Sequence, residues 1–187
     1  MKKIILISGK AQHGKDTFGE MLKNILVEKN NQVQIIHFGD LVKFVSKQYY
    51  NWNGEKDKIG RSILQMVGTE IVREKDEHFW TDFVARLINT MTADYIIIPD
   101  WRFEEEHVRL LDFFEFLDII TIRIQRVEKT EGQKYKPYVN PMMLPSQLKH
   151  RSEVELDDYV FNYIVYNVTL EELKQSAELF IEDMENN

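Results

Sequence analysis

The stretch Ile4-Ile5-Leu6-Ile7-Ser8-Gly9-Lys10-Ala11-Gln12-His13-Gly14-Lys15-Asp16-Thr17 decides how the rest of the chain is interpreted. Its four leading apolar residues, three of them β-branched, are typical of a strand that is buried on both faces. Residues 9–15 then fit the pattern G-x-x-x-x-G-K, and apolar residues recur at helical spacing at Phe18, Met21, Leu22, Ile25 and Leu26. A strand, a glycine loop and a helix therefore follow one another in the order of a phosphate-binding loop.

The residue types of this stretch suit the binding of a polyphosphate. Backbone N–H groups of such a loop converge on the phosphates, and the following helix adds partial positive charge. Gly9 and Gly14 permit close approach of the backbone, and Lys15 adds a mobile cation that can follow a phosphoryl group in transfer. Asp16 stands where Ser or Thr is usual, with Thr17 next. We expect a nucleotide phosphate site, and the alternative is a glycine-rich turn with a surface lysine.

Composition limits the class of protein. The 187 residues correspond to one domain, and 43% of them are hydrophobic. Without cysteine, neither disulfides nor thiolate chemistry is available, and the five histidines lack metal-ligand spacing. The net charge of -7 argues against a protein that coats nucleic acid, because that affinity depends on basic surface. No apolar run approaches the roughly 20 residues that cross a bilayer. We expect a cytoplasmic protein with a small phosphorylated ligand.

Further apolar runs predict the remaining strands, at residues 33–38, 95–100, 119–124 and 163–166, with helical patterns between them. This alternation predicts an α/β domain with a mainly parallel sheet of about five strands, whose site lies at the strand C-terminal ends. The third run ends at Asp100, the position from which such folds supply a magnesium ligand. The alternative for Asp100 is a helix N-cap or a turn.

Residues 125–151 show no clear periodicity and contain Gly132 and three prolines. An irregular stretch of this length in a compact domain is usually functional or disordered. Its basic residues, beside an anion site, predict a lid that closes over phosphates. The alternative is a solvated surface insertion. The basic residues are Arg126, Lys129, Lys134, Lys136, Lys149, His150 and Arg151.

The motif S-G-K-x3-G-K-D-T at residues 8–17 resembles the bacteriophage deoxynucleoside monophosphate kinases and, more distantly, the animal phosphomevalonate kinases. Further segments look like that family's patterns in the same order along the chain. They are Phe38-Gly39-Asp40-Leu41-x-Lys43, Leu64-Gln65-x-x-Gly68-Thr69-Glu70-x-x-Arg73 followed by Trp80, the turn Asp100-Trp101-Arg102-Phe103, His150-x-Ser152-Glu153, and Asn167.

The resemblance implies a P-loop NTPase fold of the nucleoside monophosphate kinase type, with three α/β/α layers. It also implies a monophosphate-binding helical region at residues 39–92 and a lid at 125–151. The expected reaction moves the γ-phosphoryl group of ATP to a deoxynucleoside monophosphate with Mg²⁺, in the host cytoplasm if the protein is phage-encoded. The expected partners are small nucleotides, and a homodimer is expected only by analogy with the family.

Site residues follow from the motif positions. The resemblance assigns ATP binding to Gly9, Lys10, Gly14, Lys15, Asp16, Thr17 and Asn167, and magnesium to Asp16, Thr17 and Asp100. It assigns the acceptor monophosphate to Lys43, Gln65, Thr69, Arg73, Trp80 and Arg102, and the catalytic roles to Lys15, Arg73 and Asp100. Arg126 is a further catalytic candidate because it lies at the base of the predicted lid, where a cation could span both nucleotides. Arg126 is preferred over Arg123, which lies inside a predicted strand. For Trp80 the alternative is a core side chain, and for Arg73 it is a surface arginine.

Two other functions remain open at this point. A kinase of another small phosphorylated metabolite, such as phosphomevalonate or dephospho-coenzyme A, would share the fold and the ATP site. A non-catalytic nucleotide-binding module would use the loop as a sensor and would need neither lid arginines nor a second substrate site. The Gly68-Thr69-Glu70 segment favours nucleotides as the acceptor.

Overall fold

The computed structural model describes residues 2–129 and 134–186, and a parallel sheet lies at its centre. Five strands, β1 to β4 and β6, form this sheet in the spatial order β2-β3-β1-β4-β6, and the short β5 pairs with β4 in antiparallel orientation. This arrangement confirms the predicted α/β class with a mainly parallel sheet. The strands are β1 (Lys3–Ser8), β2 (Val33–Ile35), β3 (Tyr95–Trp101), β4 (Asp118–Lys129), β5 (Tyr135–Pro137) and β6 (Tyr163–Asn167).

Helices cover both faces of the sheet, which confirms the three layers. Helices α1 and α8 pack on one face through Phe18, Leu22 and Phe180, while α4 and α5 cover the other face through Ile88 and Leu110. None of the helices in the described ranges is long and apolar enough to cross a bilayer. The helices are α1 (Lys15–Glu28), α2 (Gly39–Tyr49), α3 (Lys58–Gln65), a π-helical segment (Met66–Ile71), α4 (Phe79–Thr90), α5 (Glu104–Phe113), α6 (Pro145–Leu148), α7 (Arg151–Val154) and α8 (Leu170–Asn186).

Strand β1 lies between β3 and β4, so the strand order reverses beside it. Ile4 pairs with Ile96 on one side and with Ile119 on the other. In open α/β sheets, ligands bind outside the carboxyl ends of the strands at such a switch point. The glycine loop follows β1 directly, and it therefore lies in this crevice.

The elements differ from the sequence prediction in three places. Strand β2 ends at Ile35 rather than at residue 38, and α5 follows β3 where only a turn was expected. Strand β4 continues to Lys129, into the predicted lid, because residues 125–126 still pair with β6 and residues 127–129 pair with β5. The lid segment therefore contains a hairpin and the short helix α6, and α7 begins at its last residue. Its residues 130–133, Gly132 included, lie outside the described residues.

Candidate active site

The phosphate loop requires its two glycines. Gly9 and Gly14 have positive φ angles of 154° and 96°, a region that disfavours other residues. A Cβ atom on Gly9 would lie 2.6 Å from the carbonyl oxygen of Ile124, and one on Gly14 would lie 2.5 Å from the amide nitrogen of Asn167. The loop is therefore packed tightly between α1 and the carboxyl ends of β4 and β6.

Lys15 begins α1 and is buried, with 7% of its surface exposed. Its Nζ donates a hydrogen bond to the carbonyl oxygen of Lys10 at 2.9 Å. Burial, followed by the nearby Arg102, lowers the pKa of Lys15 well below its ordinary value. An anion bound at the loop would favour the charged lysine, so phosphate binding and protonation of Lys15 support each other.

A cavity of about 430 Å³ opens beside the loop and brings together most of the predicted ATP ligands. Asn167 donates to the carbonyl oxygen of His13 at 2.9 Å, and the Arg126 guanidinium lies 4.3 Å over the Tyr138 ring. Lys10 instead leaves the cavity and pairs with Asp157 at 2.8 Å. Residues of the cavity wall include Gly14, Lys15, Asp16, Thr17, Arg126, Asn167 and Leu170.

His13 is a buried residue of the loop, and its ring links the loop to β4 and to Tyr138. Its Nε2 donates to the carbonyl oxygen of Tyr138 at 3.2 Å, and its Nδ1 lies 3.2 Å from the amide nitrogen of Arg126 and 3.3 Å from the carbonyl oxygen of Ile124. In the neutral ring the proton is on Nε2, so Nδ1 accepts the N–H of Arg126. Burial lowers the pKa of His13 from 6.5 to about 4. The ring is thus a neutral structural link between the loop and the hairpin rather than a phosphate ligand.

A second cavity, of about 210 Å³, is bordered by α2, α3 and the π-helical segment. It collects five of the six residues predicted to bind the monophosphate. Gln65 also donates to the carbonyl oxygen of Gln147 at 3.3 Å, and Lys43 pairs with Asp40 at 2.7 Å. The five residues are Lys43, Gln65, Thr69, Arg73 and Arg102.

Trp80 does not line this cavity. Its side chain is 1% exposed and its Nε1 donates to the carbonyl oxygen of Gly68 at 2.9 Å. Gly68 belongs to the π-helical segment, and such segments are frequent at functional sites. The position of Trp80 favours the alternative of a core side chain that holds this segment, rather than stacking on a base.

Arg73 is a buried arginine with carboxylate partners. It pairs with Glu105 and Glu106, and its guanidinium lies 4.0 Å over the Phe103 ring. Burial raises the pKa of Glu106, and the charge of Arg73 opposes that rise. The charge of Arg73 is therefore compensated inside the protein before any substrate binds.

Lys56 and Arg61 also line this cavity, and the sequence interpretation missed both. Among the residues that the structure describes, neither makes an ion pair with a carboxylate. Burial, followed by the nearby Lys43, lowers the pKa of Lys56. The only sequence signal is a short basic cluster, K-D-K-x-G-R at residues 56–61. These two cations are available to an anion.

Two carboxylates flank Lys15. The Asp100 oxygens accept the N–H groups of Phe38 and Gly39, each at 2.9 Å, and thereby hold the start of α2. Asp16 accepts from the His37 Nε2 at 3.1 Å, and this hydrogen bond lowers the pKa of Asp16 and raises that of His37.

Oxygen donors of this kind fit Mg²⁺, which is usually bound by one or two carboxylates together with substrate phosphates. Asp16 and Asp100 supply such carboxylates, and the exposed Thr17 adds a hydroxyl beside Asp16. In the ranges 2–129 and 134–186, no group of three or more His, Asp or Glu side chains forms a complete metal site. A magnesium ion would therefore depend on phosphate oxygens for the rest of its ligands.

No protein-family model and no curated protein sequence matches the chain. Among solved structures, APE1195 is similar over 95% of this chain and 94% of its own, with 12% identity and a TM-score of 0.51. The match to the Mycobacterium tuberculosis APS kinase CysC in complex with AMPPNP and APS covers 97% of this chain and 98% of that kinase chain, with 11% identity and a TM-score of 0.49. The match to a gluconokinase from Sinorhizobium meliloti covers 97% of this chain and 95% of the gluconokinase chain, with 11% identity and a TM-score of 0.48. At these identities the likeness concerns the fold alone, an α/β fold with a mainly parallel sheet.

Proposed function

We propose that the protein transfers the γ-phosphoryl group of ATP to a deoxynucleoside 5′-monophosphate and releases ADP and the diphosphate. The supporting observation is the pair of cavities: Lys15 lines the one beside the loop, and the charges of Arg102 and Asp100, which line the other, act on Lys15. One contains the phosphate loop, and the other contains cationic side chains drawn from the segments that resemble the phage kinases. Two anionic substrates could therefore bind, one in each cavity, with Lys15 at the donor.

In this proposal, the protein positions two phosphates and neutralises their charge, because phosphoryl transfer asks for little covalent chemistry. A phosphate oxygen of the acceptor is itself the nucleophile, so no side-chain nucleophile is needed. The loop amides and Lys15 hold the donor, and Arg126 lies at the donor side. Lys56, Arg61 and Arg102 surround the acceptor phosphate. Asp16, Thr17 and Asp100 would hold Mg²⁺, which supplies charge neutralisation on the phosphate oxygens.

The helical region at residues 39–92 and the lid at residues 125–151 belong to the same proposal. We call the cavity beside the loop the donor cavity and the cavity beside α2 and α3 the acceptor cavity. Residues 39–92 supply most of the walls of the acceptor cavity, and residues 125–151 supply Arg126 and the hairpin beside the donor cavity. The basic side chains of the hairpin and of the segment that follows it would close over the bound phosphates as a lid.

Two alternatives keep the same donor site. A kinase of phosphomevalonate or dephospho-coenzyme A would differ only in the acceptor. A non-catalytic nucleotide-binding module would not need the second cavity, and Lys56 and Arg61 without carboxylate partners in the described residues argue against it.

A coupled assay of ADP release, with ATP and magnesium, tests the proposal. The acceptors are the four deoxynucleoside monophosphates, their ribose forms, phosphomevalonate and dephospho-coenzyme A. Turnover with a deoxynucleotide is expected. Turnover with only phosphomevalonate or only dephospho-coenzyme A would show that the acceptor is that metabolite and not a deoxynucleotide. ATP binding without turnover of any acceptor would refute the kinase.

A further inference from the structure

Glu153 is a buried carboxylate that contacts the phosphate loop and the acceptor cavity at the same time. It lies on α7 and is 8% exposed. Its Oε2 accepts the N–H of Ala11 at 3.0 Å, and its Oε1 accepts Nη1 of Arg102 at 2.9 Å. Because Ala11 belongs to the loop and Arg102 lines the acceptor cavity, one side chain joins the two regions.

The surroundings of Glu153 keep it ionised. Burial alone would raise its pKa, but Arg102, the Ala11 amide and Lys15 together lower the pKa below its ordinary value. Hydrogen bonds to an ionised acceptor are shorter and stronger than neutral ones. Glu153 therefore holds the Ala11 amide and the Arg102 guanidinium in a defined relation.

The contacts of Arg102 leave part of its guanidinium for a ligand. Its Nη1 donates to Glu153 and, at 3.2 Å, to the carbonyl oxygen of Ser152. Across residues 2–129 and 134–186, its Nε and Nη2 have no hydrogen-bond partner. Arginine presents its donors in a rigid planar fork, so fixing one nitrogen aims the others. These donors are available to a phosphate in the cavity that Arg102 lines.

A second carboxylate attaches the same segment to the loop. Asp157 accepts from Lys10 at 2.8 Å and from Arg123 at 2.6 Å. Two consecutive loop residues, Lys10 and Ala11, are thus held by neighbouring carboxylates. Loss of Glu153 alone would leave the Asp157 attachment in place, so the role of Glu153 can be separated from folding.

We propose that Glu153 is a positioning residue for phosphoryl transfer. It fixes the Arg102 guanidinium toward the acceptor phosphate and holds it at a constant position relative to Ala11 of the loop. This inference rests on the proposed function and adds a residue to it. The carboxylate itself would contact neither substrate. It sets the direction of the donors that do.

The test replaces Glu153 with Gln, which has no charge and only one acceptor oxygen for its two donors. Because a misplacement of about 1 Å can cost about 10²-fold in rate, kcat should fall roughly 10- to 100-fold, while the KM for ATP and the melting temperature stay near wild type. Glu155→Gln is the matched control, because Glu155 follows the same helix and pairs with Arg151. It should keep the wild-type kcat. Glu153→Asp keeps the charge and should recover part of the loss.

A double-mutant cycle with Arg102→Gln decides whether Glu153 acts through Arg102. The inference requires that Glu153→Gln add no further loss to Arg102→Gln. Additive losses, or a Glu153→Gln variant as active as Glu155→Gln, would overturn it. A wild-type protein without turnover would instead refute the proposed function. In that case calorimetry would measure the affinity of the wild type, the two single variants and the double variant for pyrophosphate. Non-additive losses of affinity would support the inference, and additive or absent losses would overturn it.

Discussion

Acidification should destabilise the protein through His13. The imidazole lies beneath the phosphate loop, is 6% exposed, and is held as the neutral Nε2–H form between Arg126 and Tyr138. Burial lowers the pKa of His13 to about 4, against an ordinary value of 6.5. Protonation of this ring therefore opposes folding.

The sign and the size follow from linkage. Because the folded pKa lies below the unfolded one, the unfolded chain binds the proton more readily, so stability falls as the pH drops below about 6.5. The full difference between the two pKa values corresponds to about 3 kcal/mol, reached only below about pH 4. Between pH 7.5 and pH 5 the loss amounts to about 2 kcal/mol.

Urea unfolding of the wild type and of His13→Gln measures this contribution across that pH range. Glutamine has an amide that can donate and accept but does not titrate. The other titrating groups are common to both proteins, so the difference in unfolding free energy isolates His13. The wild type should lose about 2 kcal/mol relative to the variant between pH 7.5 and pH 5.

A difference that stays constant with pH would refute the neutral buried ring. A wild type that gains stability on acidification, relative to His13→Gln, would mean that the folded protein holds the protonated ring. In that case the hydrogen bonds assigned to Nδ1 and Nε2 would also be wrong.

The remaining predictions concern the two cavities. Lys15→Ala should lower transfer by orders of magnitude without lowering the melting temperature, because it removes a buried cation; near-normal activity would contradict the donor site. Gly14→Ala should weaken ATP binding and cost about 1–2 kcal/mol of stability, measured by calorimetry and urea unfolding, since φ is positive there. Arg61→Ala should raise the KM of the acceptor far more than that of ATP, with stability unchanged. Arg73→Ala should also destabilise the fold, by about 3–5 kcal/mol, because it leaves Glu106 buried without its partner; an unfolding free energy equal to that of wild type would contradict this pairing.

The fold was largely predictable because its signals are local. The apolar runs of β1 and β3 and the glycine pattern at residues 9–15 each depend on neighbouring residues in the chain. Helix α5 was missed because its first turn, with three consecutive glutamates, has no apolar face to reveal a period. The end of β4 was missed because its last residues are stabilised by β5 and β6, which come later in the chain.

The candidate site was less predictable because side-chain partners lie far apart in sequence. Motif positions assigned Lys43, Gln65 and Thr69 to one substrate, and the three side chains line one cavity. No pattern could indicate that Arg73 would be neutralised by two glutamates more than 30 residues away, or that Trp80 would donate to a π-helical carbonyl. The roles assigned to these residues stay predictions.

The balance of charge in the acceptor cavity bears on the kind of acceptor. Lys43, Arg73 and Arg102 each have a carboxylate partner, whereas Lys56 and Arg61 have none among the described residues. A phosphate monoester carries about 1.5 to 2 negative charges at neutral pH, so it would balance two such cations. An acceptor with only neutral hydroxyl groups would leave both cations without a counter-charge in the cavity. The cavity therefore argues for an acceptor that already carries a phosphate, which is the feature shared by nucleoside monophosphates and the phosphorylated metabolites considered as alternatives.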